Sequence, residues 1–186
     1  MTVAATLSGT LAGRRAIVTG AGGGIWRASA LALAAEGAAV AAVDISAEAA
    51  AETARQIAAA GGRAIAITAD ISDPADCERV VQHTVDALGG LEVLFNNAGI
   101  IRRADAIGTT VEEWDRVMAV NVRSIFLMCK YAVPVMAAAG GGSIINTGSG
   151  WGLKGGGNAL SYCASKGAVV NMTRALAIDH GPAGIR

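Results

Sequence analysis

Five short aliphatic runs, each separated from the next by a glycine-punctuated stretch of helical spacing, constrain this chain more than any other feature. The pattern predicts strands over Arg15–Thr19, Ala39–Val43, Ala64–Ala69, Leu91–Phe95 and Ser143–Thr147. Between them it predicts helices over Ile25–Glu36 and Ala47–Ala60, and a third opened by Asp73-Pro74. A long helix from Val111 to about Ala139 and a last one from Leu160 to about His180 complete the set. In the third helix Cys77, Val80, Val81, Thr84, Val85 and Leu88 keep helical spacing. Gly37, Gly61-Gly62 and Gly89-Gly90 stop the first three helices, because glycine accepts the left-handed conformation that closes a last turn. Ser46 is placed to cap the second helix and Pro74 occupies a tolerated first position in the third. Strands in strict alternation with helices pack as a parallel sheet covered on both faces. Right-handed crossovers then leave few topologies. The predicted fold is a single α/β domain over residues 1–186, a doubly wound parallel sheet in three α/β/α layers. Pro134 is expected to kink or locally break the long helix. The loop Gly150–Asn158, with its three consecutive glycines, is expected to be mobile.

Composition enters through the core. Hydrophobic residues make up 53% of the chain but aromatic residues only 4%, so the core must be aliphatic and rich in alanine. Fifteen basic and fifteen acidic side chains cancel, which argues against a nucleic-acid or acidic-membrane surface. Cys77, Cys129 and Cys163 show neither metal-ligand spacing nor a paired framework. They read as free thiols of a reducing cytoplasm, and no metal site is expected. The N-terminus has no charged start leading into an apolar block, so no signal peptide is read. The greasy stretches Ala28–Val43 and Val117–Ala139 are interrupted by Glu36 and by Asn121, Arg123 and Lys130 respectively. Both read as buried structure rather than membrane spans.

In a sheet of this kind, ligands bind beyond the carboxyl ends of the strands. Gly20, Asp44, Asp70, Asn96 and Ser149 all fall at such ends. The turn Gly20-Ala21-Gly22-Gly23-Gly24, between the first strand and the first helix, can cradle a dinucleotide. Its glycines let backbone approach a pyrophosphate, and the helix N-terminus offers unpaired N–H groups and positive potential. The bland reading is a tight turn without a ligand. Asp44 follows Gly20 by 24 residues, near the spacing of a carboxylate that binds a ribose 2′-hydroxyl. It would repel a 2′-phosphate and Ile45 supplies no cation, so NAD is preferred to NADP. Otherwise Asp44 is a polar cap. Tyr162 and Lys166 lie one helical turn apart on one face. A phenol with a pKa of about 10 is a poor base near neutrality, and a cation beside it favours the phenolate. Ser149, at the end of the fifth strand, could donate a hydrogen bond to a substrate oxygen. Alone, the tyrosine and lysine would be an ordinary surface pair.

Taken together and in order, Thr19-Gly20-x-x-x-Gly24, Asp70-Ile71, Asn96-Asn97-Ala98-Gly99, Asn121, Ser149 and Tyr162-x-x-x-Lys166 resemble the short-chain dehydrogenase/reductase family over almost the whole chain. The resemblance implies a Rossmann-type sheet and nicotinamide-dependent oxidation or reduction of a small alcohol or ketone. It implies Tyr162 as the acid/base, Lys166 on the nicotinamide ribose, Ser149 orienting the substrate oxygen and Asn121 holding a relay water. Gly20, Gly24, Ile25 and Asp44 would bind cofactor, with Asp70 and Ile71 at the adenine and Asn97 and Gly99 along it. Family members commonly pair through the two helices predicted over Val111–Ala139 and Leu160–His180, which implies a homo-oligomer, a dimer or tetramer. For Asn121 the residues alone leave open a buried amide that satisfies helix carbonyls.

Two departures from the pattern matter. Trp26 stands where the family has the glycine that lets the helix start pack closely, and the indole must either point away or occupy space near the cofactor. Arg186 falls where the family begins a sixth strand. Relative to the family fold, the last strands and the substrate lid are absent from these residues, an unpaired edge is expected on the fifth strand, and turnover by this chain alone is expected to be low. Two functions compete: an alcohol or ketone oxidoreductase, and a non-catalytic dinucleotide-binding or assembly protein of the same fold. The intact Ser149, Tyr162 and Lys166 favour the first; Trp26 and the short C-terminus favour the second.

Overall fold

The computed structural model describes residues 9–186. Five parallel strands, β1 (Arg15–Thr19), β2 (Ala39–Asp44), β3 (Ala64–Thr68), β4 (Val93–Asn96) and β5 (Ser143–Asn146), form one sheet in the order β3-β2-β1-β4-β5. Strand β1 is central: Ala16 lies in register with Val40 on one side and Val93 on the other, and Ile17 with Ala41 and Leu94. The chain leaves β1 towards β2 and β3, then returns across it to β4 and β5. This reversal opens a crevice at the carboxyl ends of β1 and β4.

Side chains alternate across the sheet, so β1 feeds two cores. Ile17 packs with Ala41, Val43, Leu94, Val80 and Met128 under one helical layer. Ala16 and Val18 pack with Val40, Ala42, Ala30, Ala34 and Ile57 under the other. The first layer is α3 (Pro74–Leu88), α5 (Ser124–Ala138) and α7 (Leu160–His180); the second is α1 (Gly24–Ala35) and α2 (Ala47–Ala59).

Helix ends follow the signals in the sequence. Ser46 Oγ accepts from Ala49 N at 3.3 Å, and Asp73 accepts from Asp76 N at 3.0 Å with Pro74 behind it. Gly89 closes α3 in the left-handed conformation at φ 91°. Helix α1 differs: its N-cap is Gly23, no side chain caps it and its first turn carries no acid. Its first N–H groups are therefore free to meet a ligand.

The long predicted helix is divided, but not at its proline. Helix α4 (Val111–Met118), capped by Thr110, runs into a π-helical turn at Ala119–Arg123 before α5 resumes. Pro134 lies inside α5 without ending it, so of the kink or break expected there the break is corrected. The interruption sits at Asn121, where a buried side chain is used by a neighbouring loop. By length and mean hydropathy alone, Val111–Ala138 could cross a bilayer. In the fold, Ile125, Leu127, Met128, Ala132 and Met136 are buried in the core instead. The glycine-rich stretch after Ser149 contains the one-turn helix α6 (Trp151–Lys154). The outer edge of β5 is partly paired: Ile144 N donates to the Arg186 carbonyl at 2.8 Å, and Arg186 N to that of Gly142 at 3.1 Å. The expected open edge therefore begins only beyond Ile144.

Candidate active site

Sequence dictates the glycine turn through steric exclusion. Gly20 is left-handed at φ 69°, and a Cβ there would lie 2.9 Å from the Ala98 Cα. A Cβ on Gly22 would lie 2.6 Å from Asp44 Oδ2. Both positions demand glycine. Asp44 fastens the turn to the end of β2: Oδ2 accepts from Gly22 N at 2.8 Å and Oδ1 from Ser46 N at 2.9 Å. On the α2 side, Thr53 Oγ1 donates to the Ala21 carbonyl at 2.7 Å and Arg27 donates to that of Gly22. Two turn carbonyls are thus held, while the start of α1 keeps its free donors.

A cleft of about 280 Å³ opens beside this turn. Gly20, Asp44, Asp70, Ile71 and Gly99, all read from the sequence as cofactor residues, line it. Gly24 and Ile25 stand exposed in the first turn of α1 and do not, Ile25 being 78% exposed. Trp26 is among the residues that line it. Glycines that exclude a Cβ, an uncapped helix start and a carboxylate at the end of β2 together fit a nicotinamide dinucleotide.

The ends of β1, β4 and β5 are tied together by side chains. The buried Thr19 Oγ1 accepts from Asn97 N at 3.0 Å and Ala98 N at 3.2 Å. Asn97 Oδ1 accepts from Thr147 Oγ1 at 2.6 Å, while its buried Nδ2 has no bonded neighbour. Asn97 is buried and is not among the residues that line the cleft. Beyond it the loop is held by the buried Asn121, whose Oδ1 accepts from Ile100 N at 2.8 Å. Asn121 Nδ2 donates to the Ile100 carbonyl at 2.9 Å and to Ser165 Oγ at 3.0 Å. Ser165 Oγ in turn donates to the Tyr162 carbonyl at 2.7 Å. The side-chain donors of Asn121 brace the Ile100 loop against α7.

Lys166 is only 4% exposed, and its Nζ donates to the Thr147 carbonyl at 2.6 Å. That bond holds Nζ 5.8 Å from the centre of the Tyr162 ring. Burial pulls the Lys166 pKa below its ordinary value. A Cβ on Gly99 would lie 3.7 Å from Lys166 Nζ, so the loop after β4 also closes on this group. Ser149 approaches from β5: its Oγ accepts from Trp151 N at 3.2 Å, and the Trp151 and Tyr162 rings meet 6.1 Å apart at 83°. A Cβ on Gly152 would lie 2.5 Å from the Lys166 carbonyl carbon, so the turn following Ser149 rests directly on α7. The fold thus gathers the Ser149 turn, Tyr162, Lys166, Asn121 and Gly99 at one end of the sheet. Thr19, Gly22, Thr147, Ser165 and Trp151 belong to the same assembly but were not read as site residues. For Gly22 and Thr19 the signal was present in the glycine run and the motif that opens on it; for the others only contacts between separate segments reveal the part they play.

Residues 14–186 match the family model described as short chain dehydrogenase. The chain is 41% identical over 172 residues to cyclohexanol dehydrogenase from Acinetobacter sp. (strain SE19), covering 92% of this chain and 68% of that protein. It is 39% identical over 170 residues to meso-2,3-butanediol dehydrogenase from Serratia marcescens, covering 91% and 66%. It superposes on NAD+-bound xylitol dehydrogenase with a TM-score of 0.92 and 34% identity, covering 95% of this chain and 68% of that one. The chain thus spans about two thirds of the length of these relatives.

Proposed function

The chain belongs to the short-chain dehydrogenase family, and on that footing we propose that it transfers a hydride between NAD(H) and the carbinol or carbonyl carbon of a small alcohol or ketone. The observation that carries this reading is the buried Lys166 ammonium, pinned by the Thr147 carbonyl beside the Tyr162 ring. A bound nicotinamide dinucleotide would supply the hydride acceptor or donor. In alcohol oxidation, Tyr162 takes the hydroxyl proton as hydride leaves the carbinol carbon, and in reduction it returns that proton. Ser149 Oγ holds the substrate oxygen. Lys166 Nζ, held beside the ring, would hold the nicotinamide ribose. Asn121 positions the loop that carries Gly99, and the proton relay assigned to it by resemblance belongs to this same proposal.

The cofactor would lie with its pyrophosphate against Gly20, Gly24 and Ile25 at the start of α1. Its ribose hydroxyls would meet Asp44, its adenine would meet Asp70 and Ile71, and Asn97 and Gly99 would run along it. Asp44 supports NAD over NADP, because a second anion beside its carboxylate would be repelled and Ile45 adds no compensating charge. Relatives named for cyclohexanol and 2,3-butanediol support a small neutral secondary alcohol as substrate. Association of two copies through the helices over 111–138 and 160–180 is part of the proposal. Exposed Phe126 and Ile178 on those helices are compatible with it.

Fluorescence titration with NADH followed by a steady-state assay with NAD+ and cyclohexanol tests the reading. Replacing Tyr162 by Phe should leave NADH affinity within about threefold and lower kcat by roughly 10²–10⁴-fold, the usual contribution of a positioned acid/base. Undiminished turnover in that variant would remove Tyr162 from the chemistry. NADH binding without turnover in the parent would instead support the non-catalytic alternative, against which the intact Ser149, Tyr162 and Lys166 weigh.

A further inference from the structure

Trp151, two residues beyond Ser149, has no part in the proton chemistry proposed above, yet its indole is held on three sides. The Arg103 guanidinium carbon stands 4.7 Å from its ring centre. Gly156 packs so closely that a Cβ there would lie 2.7 Å from the ring. The Tyr162 ring meets it at 6.1 Å in an edge-on arrangement. Its backbone N–H bonds Ser149 Oγ at 3.2 Å, so one residue touches both groups proposed to bind the reacting oxygen. The loop that carries Arg103 is itself closed onto α7, where Leu160 N donates to the Ala104 carbonyl at 3.2 Å. A flat side chain clamped by a cation on its face and by backbone at Gly156 is a rigid surface rather than an adaptable one.

We propose that Trp151, clamped by Arg103, is the specificity-determining wall of the substrate site. This rests on the reading that Ser149 and Tyr162 hold the substrate oxygen. An oxygen bound to both would carry one of its flanking carbon groups towards the residue that meets Ser149 through its backbone N–H and Tyr162 through its ring. The site then takes compact secondary alcohols and ketones, such as short-chain or unsubstituted alicyclic ones, and turns away those with an aryl or branched group on that side. Arg103 acts through Trp151 and is a positioning residue: without its cation over the ring, the indole is free to turn and the wall loosens.

The test compares the parent with Trp151→Ala, Trp151→Phe and Arg103→Ala. Binding of cyclohexanone and of propiophenone to NAD+-loaded protein, a dead-end pairing that cannot react, is measured by calorimetry. The kcat/KM values for the corresponding alcohols are measured alongside. Trp151→Ala should raise the preference for the aryl compound at least about tenfold, the scale on which pocket walls discriminate. Trp151→Phe should hold the parent preference within about threefold, and Arg103→Ala should fall between them. NADH affinity, read by direct titration, should move less than about twofold in all three. An unchanged preference in Trp151→Ala with NADH binding intact overturns the proposal, as does failure of either ketone to bind any of the four proteins. If the parent binds NADH and ketone but turns over neither alcohol, the enzymatic reading fails, and the shift in ketone binding still decides the role of Trp151.

Discussion

At the first turn of α1 the chain carries Trp26 where the related pattern has glycine, and this residue lines the cleft. A large side chain in a tight site typically costs about 1–3 kcal/mol. Trp26→Gly is expected to tighten NADH binding by roughly 5- to 150-fold on that scale. Equal dissociation constants for parent and variant would show that the indole leaves the cofactor room. Lys166 makes a prediction of opposite kind. Its burial lowers the folded-state pKa below the ordinary 10.5, so below that folded pKa both folded and unfolded chains carry the proton and the folded state bears the whole desolvation cost. As pH rises from the folded pKa towards 10.5, the unfolded chain holds the proton longer and stability gains. Lys166→Met lacks this titration. Urea melts from pH 7 to 10 should show the parent gaining stability relative to that variant in the alkaline range; a constant gap would contradict the assignment of burial as the cause.

Among the elements, the π-helical turn at Ala119–Arg123 connects helix geometry to the site. An extra residue in the turn interrupts the regular ladder, and such turns recur at functional positions. Here the turn contains Asn121, whose side chain takes up both the N–H and the carbonyl of Ile100 and reaches Ser165 on α7. Asn121→Ala leaves the half-buried Ile100 groups and the buried Ser165 hydroxyl without that partner, an expected loss of roughly 1–3 kcal/mol in a urea melt. It also frees the Gly99 loop from α7, so kcat should fall with stability. A variant with parent-like stability would mean that water replaces the amide and that the brace is dispensable. Helix α1 shows the complementary device, an end left uncapped where a ligand is proposed, whereas α2, α3 and α4 are capped by Ser46, Asp73 and Thr110.

On the scale of the whole molecule, two cores on opposite faces of one sheet differ in what they enclose. The alanine-rich layer between α1, α2 and the sheet brings the glycine turn close to β2, while the bulkier layer beneath α3, α5 and α7 buries Cys77 and Cys129. Burial pushes the pKa of both thiols up to about 12, and Cys163 alone of the three is not fully buried. A native-state titration with a thiol reagent at pH 8 should therefore modify Cys163 quickly, and the other two only at the rate of global opening. Fast modification of all three would mean that this layer opens independently of the rest.

The alternation of aliphatic runs and helical stretches was enough to place the five strands and the layers around them. Period and punctuation are local properties, and a parallel sheet is the arrangement that buries both of its faces. The same locality placed Gly20, Asp44, Asp70 and Ser149 at strand ends. It could not show that Asp70 and Gly99 line the cleft while Asn97 is buried outside its lining, because that depends on which neighbour each loop folds against. Proline did not mark the interruption of the long helix: a missing N–H near the end of α5 is tolerated, and the π turn falls instead at the buried Asn121. Thr147 on Lys166, Asn121 on Ile100 and Trp151 on Tyr162 join residues far apart in the chain. Such pairings are settled by packing alone, because no periodicity along the chain encodes which side chains meet across it.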